Sequence, residues 1–169
     1  MNKMIKRIAS AAAVVALVYT TGYAQSAGDS KSTRLGFGFN AGIPTTDGYN
    51  VSLGGDARLQ QDFTSNVSGM LTVGYTNFSR DGENAGSVGY IPVKAGIKIF
   101  PVERFYFSGE VGPAFGTDDG QKTAIVWAPG IGLGFNNGVD LGLRYEGFSA
   151  NGSTLGHVAL RVAYGFALN

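Results

Sequence analysis

The chain has 169 residues, 27 of them glycine and none cysteine, with 44% hydrophobic, 12% aromatic and 15% charged residues. One domain is the natural count at this length, and the absence of thiols excludes a disulfide framework, a thiolate metal site, a cysteine nucleophile and an acylated lipoprotein N-terminus. A formal net charge of +1 excludes the basic surface that binds nucleic acid, while the composition is too apolar for disorder and too glycine-rich for a helical bundle.

Lys3, Lys6 and Arg7 precede an apolar run from Ile8 to Val18, which gives way to Thr20, Thr21, Gly22, Tyr23 and Ala24. A basic head, a short apolar stretch and small residues before a cut make a secretory signal peptide. The expected cut follows Ala24, with residues 25–32 as a periplasmic tether and 33–169 as the main domain. A membrane anchor would need an apolar run of about 20 residues, longer than this one. Cleavage removes three basic residues and leaves 10 Lys+Arg against 12 Asp+Glu, a net charge of −2. No later segment reads as a spanning helix. Any membrane form must then be a closed barrel, because lipid leaves no other way to satisfy backbone polar groups.

Eight segments alternate with period two, the signature of half-buried strands. In chain order they are Arg34–Ile43, Asn50–Gln60, Val67–Phe78, Val88–Phe100, Phe105–Gly116, Ala124–Phe135, Val139–Phe148 and His157–Leu168. The last is the clearest: Val158, Leu160, Val162, Tyr164, Phe166 and Leu168 share one parity, and His157, Ala159, Arg161, Ala163, Gly165 and Ala167 the other. Turn-forming clusters separate the segments, among them Thr45–Gly48, Ser79–Gly86, Thr117–Gln121, Asn136–Gly138 and Ser149–Ser153. An even number of strands joined by short hairpins predicts an all-β, eight-stranded antiparallel up-and-down β-barrel.

The two parities decide which face is outside. In a soluble barrel the apolar parity would fill the interior, but eight strands enclose too little space for so many large side chains. The opposite parity is mostly Gly, Ala, Ser and Thr with a minority of charges, a composition unlike the usual soluble surface. The inside-out arrangement is therefore expected, with the apolar band toward lipid. Tyr75, Phe115, Trp127 and Tyr145 fall toward one rim of that band, and Phe37, Phe105, Phe107, Phe135, Tyr164 and Phe166 toward the other. Taken singly, each aromatic is explained by strand propensity; clustering at two levels matches membrane-interface girdles.

With its signal peptide, eight strands and closing run His157-Val158-Ala159-Leu160-Arg161-Val162-Ala163-Tyr164-Gly165-Phe166, the chain resembles the small outer-membrane β-barrel family of outer-membrane protein X and the OmpA membrane domain. The resemblance covers about residues 33 to 168 and rests on patterns, so it speaks to architecture more than to activity. It implies an outer-membrane location, lipids and lipopolysaccharide as surroundings, and barrel-assembly machinery as a transient partner. It also implies roles in adhesion or stress defence. The family's last strand commonly ends in an aromatic; here the end is Leu168-Asn169, with Phe166 two residues before Leu168.

Inward-facing ionisable residues are expected at Arg34, Asp56, Arg58, Lys94, Lys98, Glu110, Asp140, Arg144, Glu146, His157 and Arg161. Unpaired charges in a narrow bore are costly, so a salt-bridged network should fill it and block ordinary solutes. Hairpin arithmetic places Lys94 near Glu110. It also sets Gly130 opposite both Arg144 and Glu110, so that these two charges meet across the glycine. Glu146 falls across from His157, half of a hydrolytic triad. Outer-membrane lipid A deacylases use such a triad on the lipid side, with a serine two residues after the histidine; here that position is Ala159 and the histidine points inward. A Glu–His hydrogen bond within the core network is the simpler reading.

The loops carry Asp47, Asp81, Glu83, Asp118 and Asp119 against Arg80 and Lys122, read as solvated turns or, more sharply, as a weak site for divalent cations or a partner. The expectation is a monomeric, non-enzymatic structural or surface barrel with no cofactor, no metal and no nucleic-acid partner. Its rivals are a narrow porin-like channel, a lipid-modifying outer-membrane enzyme and a soluble periplasmic lipid carrier.

Overall fold

A computed structural model describes residues 32–82 and 86–168. The signal peptide expected at 1–24, the tether up to residue 31, and Glu83 lie outside the described residues.

Among the described residues eight strands form in chain order: β1 Thr33–Pro44, β2 Tyr49–Asp62, β3 Val67–Arg80, β4 Ser87–Ile99, β5 Phe105–Gly116, β6 Ala124–Gly134, β7 Val139–Ala150 and β8 Ser153–Ala167. Each pairs antiparallel with the next, and β1 pairs with β8 from Arg34↔Ala167 to Pro44↔His157, which closes the barrel. Closure leaves no sheet edge with unpaired N–H and C=O groups. The three short turns between β2 and β3, β4 and β5, and β6 and β7 lie at the end where the barrel's first and last strand residues sit. This is called the turn end, and the opposite one the loop end.

Most boundaries fall within two residues of expectation, but β8 starts at Ser153, four residues before His157. The reason is the β7–β8 connection, where Asn151 and Gly152 have φ of 50° and 80°. Two successive positive φ values give the tight hairpin turn that Asn-Gly favours, so pairing continues to Ala150↔Ser153. Pairing thus runs into the segment Ser149–Ser153 expected as a turn.

Side chains alternate faces as the sequence parity requires. Phe107, Leu143 and Val162 point outward and are 52%, 47% and 49% exposed, whereas Glu110, Arg144 and Arg161 are buried in the bore. The apolar band is outside.

Outside the ionic centre, however, the interior is not simply small and polar. Near the loop end the inward parity carries Phe78, Val88, Tyr90, Ala114, Ala124, Val126 and Phe148, a buried apolar cluster. Phe78 meets Phe148 edge-on at 5.4 Å, and Tyr90 stacks on Phe148 at 5.0 Å. These rings plug the bore. Below them, glycines facing inward make room for long side chains: Tyr106 lies over Gly132 and Gly142.

Candidate functional site: the charged lumen

Among the described residues the bore below the aromatic plug holds four carboxylates and five cationic side chains in linked clusters. Asp56 on β2 accepts a two-pronged contact from Arg161 on β8, with Nη2 to Oδ1 at 2.6 Å and Nε to Oδ2 at 3.0 Å. Asn40 donates to the same carboxylate at 2.9 Å, and Arg144 approaches it at 3.5 Å. Fork-to-carboxylate pairing of this kind is both strong and directional. Glu110 on β5 takes Arg58 at 2.8 Å and the Thr72 hydroxyl at 2.6 Å. Arg58 also donates through Nε to Thr72 at 3.1 Å, so β2, β3 and β5 are tied together.

Nearer the plug, Glu146 on β7 holds three partners: Lys94, Arg144 at 3.2 Å and His157 at 2.9 Å. Nearer the turn end, Asp140 holds Lys98 at 2.5 Å, the Tyr106 hydroxyl at 2.9 Å and Arg161 at 3.3 Å. Lys98 also stands 4.0 Å from the centre of the Tyr106 ring. Arg144 spans Asp56, Glu110 and Glu146 and so links three of the four carboxylates. Buried charges persist only when paired and hydrogen-bonded. Here every carboxylate in the bore has at least two polar partners.

All eleven lumen positions expected from sequence face the bore or its mouth. Arg34 differs from the rest: it sits at the turn-end mouth, is half-exposed and lies 3.8 Å from Asp62. Two expected neighbours change. Lys94 does not salt-bridge Glu110, which pairs in register with Gly96; its ammonium crosses the bore to Glu146. Gly130 does face Arg144, but on its other side it faces Ser108, and Glu110 faces Ala128. The β5–β6 connection, residues 117–123, is not a two-residue hairpin turn, so turn type does not fix the register there. Arg144 and Glu110 still approach, at 3.8 Å.

The outward aromatics Phe37, Tyr75, Phe107, Trp127, Tyr164 and Phe166 are exposed, with Phe105, Phe115 and Tyr145 partly covered. Phe135 is a correction. It falls in the turn after β6, where it lines a cavity and lies under Arg104 at 6.0 Å.

Glu146 pairs with His157 as the β7–β8 register predicts. The serine missing from the local sequence comes from β2: Ser52 Oγ is 2.5 Å from His157 Nδ1. With His157 donating through Nε2 to Glu146, Nδ1 accepts the Ser52 hydroxyl. Serine, histidine and carboxylate are thus aligned, yet all three are buried, with Phe78 and Phe148 rings 5.0 and 6.1 Å from the imidazole. The cavity at the turn end does not reach Ser52. The contact joins the aromatic plug to the ionic centre. Among the described residues no group of His, Cys, Asp or Glu could hold a metal ion.

No protein-family model matches the chain, and no curated protein sequence does. Solved structures do. The outer-membrane protein Ail of Yersinia pestis is 17% identical, with 80% of this chain and 99% of that chain covered at a TM-score of 0.59. For the N-terminal β-barrel domain of Pseudomonas aeruginosa OprF the identity is 14%, the coverage 79% and 97%, and the TM-score 0.56. The fold is that of the small eight-stranded outer-membrane barrels. A de novo designed transmembrane β-barrel matches similarly, at 16% identity, with coverage of 79% and 95% and a TM-score of 0.53. Since a designed chain reaches the same architecture, the likeness speaks for the fold and not for an activity.

Proposed function

We propose that the protein is an integral outer-membrane barrel with a closed lumen, serving a structural or surface role in the cell envelope. The observation that carries this reading is the inversion of the two faces. A continuous outward band of Phe, Leu, Ile and Val surrounds a bore of paired charges, which suits acyl chains outside and would aggregate in water. The signal-like N-terminus supports export, and the short loops leave little surface for a large adhesive contact. Outer-membrane lipids and lipopolysaccharide are the expected surroundings, assembly machinery the transient partner, and a monomer the working unit.

Blockage of the bore argues against a diffusion porin, because two successive layers, aromatic and ionic, fill it. Burial of Ser52, His157 and Glu146 argues against a lipid-modifying enzyme. The test combines membrane fractionation, heat-modifiable migration on a detergent gel, and planar-bilayer recording. The expected result is a membrane-bound protein whose folded band shifts on boiling and which gives no conductance steps. Recovery in aqueous extract without detergent would favour the soluble carrier, and steady unitary currents would favour the narrow pore.

A further inference from the structure

The bore is not filled along its whole length. At the turn end a cavity of about 260 Å³ opens outward, and inward-facing Gly36, Gly134 and Gly165 leave it room. Its wall carries five cationic side chains, Arg34, Arg58, Lys98, Arg104 and Arg161, against three carboxylates, Asp62, Glu103 and Asp140. The carboxylates are not evenly engaged. Asp140 is taken by Lys98, Tyr106 and Arg161. Asp62 accepts from Ser68 at 2.6 Å and Gln60 at 3.1 Å, and Arg34 reaches it only at 3.8 Å. Among the described residues Arg104 has no carboxylate partner; its guanidinium rests over Phe135.

Strand order adds the geometry. Arg34 lies on β1 and Arg104 in the turn before β5, four strands away in a ring of eight. Arg34 and Arg104 therefore root on opposite sides of one mouth and both line its cavity, with buried Lys98 in the same wall. Phe100 and Phe135 supply apolar wall between them.

We propose that this turn-end cavity is a binding site for a small organic oxyanion, held between Arg34 and Arg104 with Lys98 beneath. Guanidinium forks and an ammonium match the oxygens of phosphate or carboxylate groups. The volume suits a compact ligand and lies just below the usual range for drug-sized molecules. The ligand would enter from the compartment that the turn end faces, without crossing the ionic centre.

The test is amide NMR of the refolded barrel in an uncharged maltoside micelle, titrated with pyrophosphate, with citrate and with glucose. Saturable shifts confined to the turn end are expected with at least one of the two anions and none with glucose. The tighter anion assigns the group as phosphate or carboxylate. The double variant Arg34→Gln/Arg104→Gln should weaken binding about tenfold or more through loss of two charge-assisted contacts. Glu103→Gln, which removes a carboxylate from the wall, should tighten it. Heat-modifiable migration confirms that both variants are folded. Absence of saturable shifts at millimolar anion, shifts that map to the loop end, or equal affinity in the double variant would overturn the assignment.

Discussion

Trp127 on β6 lies across Gly147 on β7, its ring 2.8 Å from where a Cβ on that glycine would sit. The two residues are direct register partners on the outward face. Tyr145 covers Gly156 in the same manner and packs on Trp127 with ring centres 5.0 Å apart. Tyr75 covers Gly89. These three rings thus fill the space of a missing side chain, a pairing that lets a bare backbone position keep its packing. Gly147→Ala should push the indole off its seat and lower stability by about 1–3 kcal/mol. Gly109→Ala, where nothing lies within 4 Å, is the matched control and should be near neutral. Urea unfolding in lipid vesicles, followed by Trp127 fluorescence and gel migration, measures both.

Asp56 is the strongest single test of the ionic centre. Asp56→Ala leaves Arg161 with Asp140 alone, deprives Arg144 of one of its three carboxylates and orphans the Asn40 amide. A loss of about 3–5 kcal/mol is expected, since a buried charge is stranded. The double variant Asp56→Ala/Arg161→Met should recover much of it. Additivity of the two single changes would show that the contact is not a coupled pair.

The aromatic plug and the charges below it are separate barriers. Phe148→Ala removes a ring that touches Phe78, Tyr90 and the imidazole of His157. About 3–5 kcal/mol of stability should go with it. Conductance should nevertheless stay silent, because Lys94, Glu146 and Arg144 still span the bore. Current steps from the single variant would mean that the rings alone form the seal.

At the β7–β8 turn, Gly152→Val should cost roughly 1–2 kcal/mol, because a branched residue is forced to positive φ. Asn151→Gly should be tolerated. The same unfolding assay distinguishes them, and an equal response from both would contradict the turn geometry.

The barrel and its inside-out sense were legible because strand parity is a local property: Val158 to Leu168 alternates whatever surrounds it. Pairs between neighbouring strands joined by tight turns were also legible, as Glu146 with His157 and Gly130 with Arg144 show. Contacts across the bore were not. Lys94 reaches Glu146 from three strands away, and Ser52 reaches His157 from two. Such reaches depend on strand tilt and stagger around the cylinder, which no single hairpin encodes. The aromatic plug left a weaker trace. Phe78, Tyr90, Val126 and Phe148 are large residues on the inward parity, all close to the loop end, and only their coincidence at one level separates them from ordinary strand aromatics.

The β1–β8 seam gives the barrel a topological condition on its own birth. Seven of the eight strand pairs can zip from a local connection, but the seam joins Arg34 to Ala167 with the entire intervening chain already threaded. Until that last zipper shuts, two raw edges stay open and Asp56 of β2 lacks its Arg161 partner on β8. Half a cylinder is therefore not a smaller version of the whole: the arginine of the final strand and the aspartate of the second can meet only when the ring is complete.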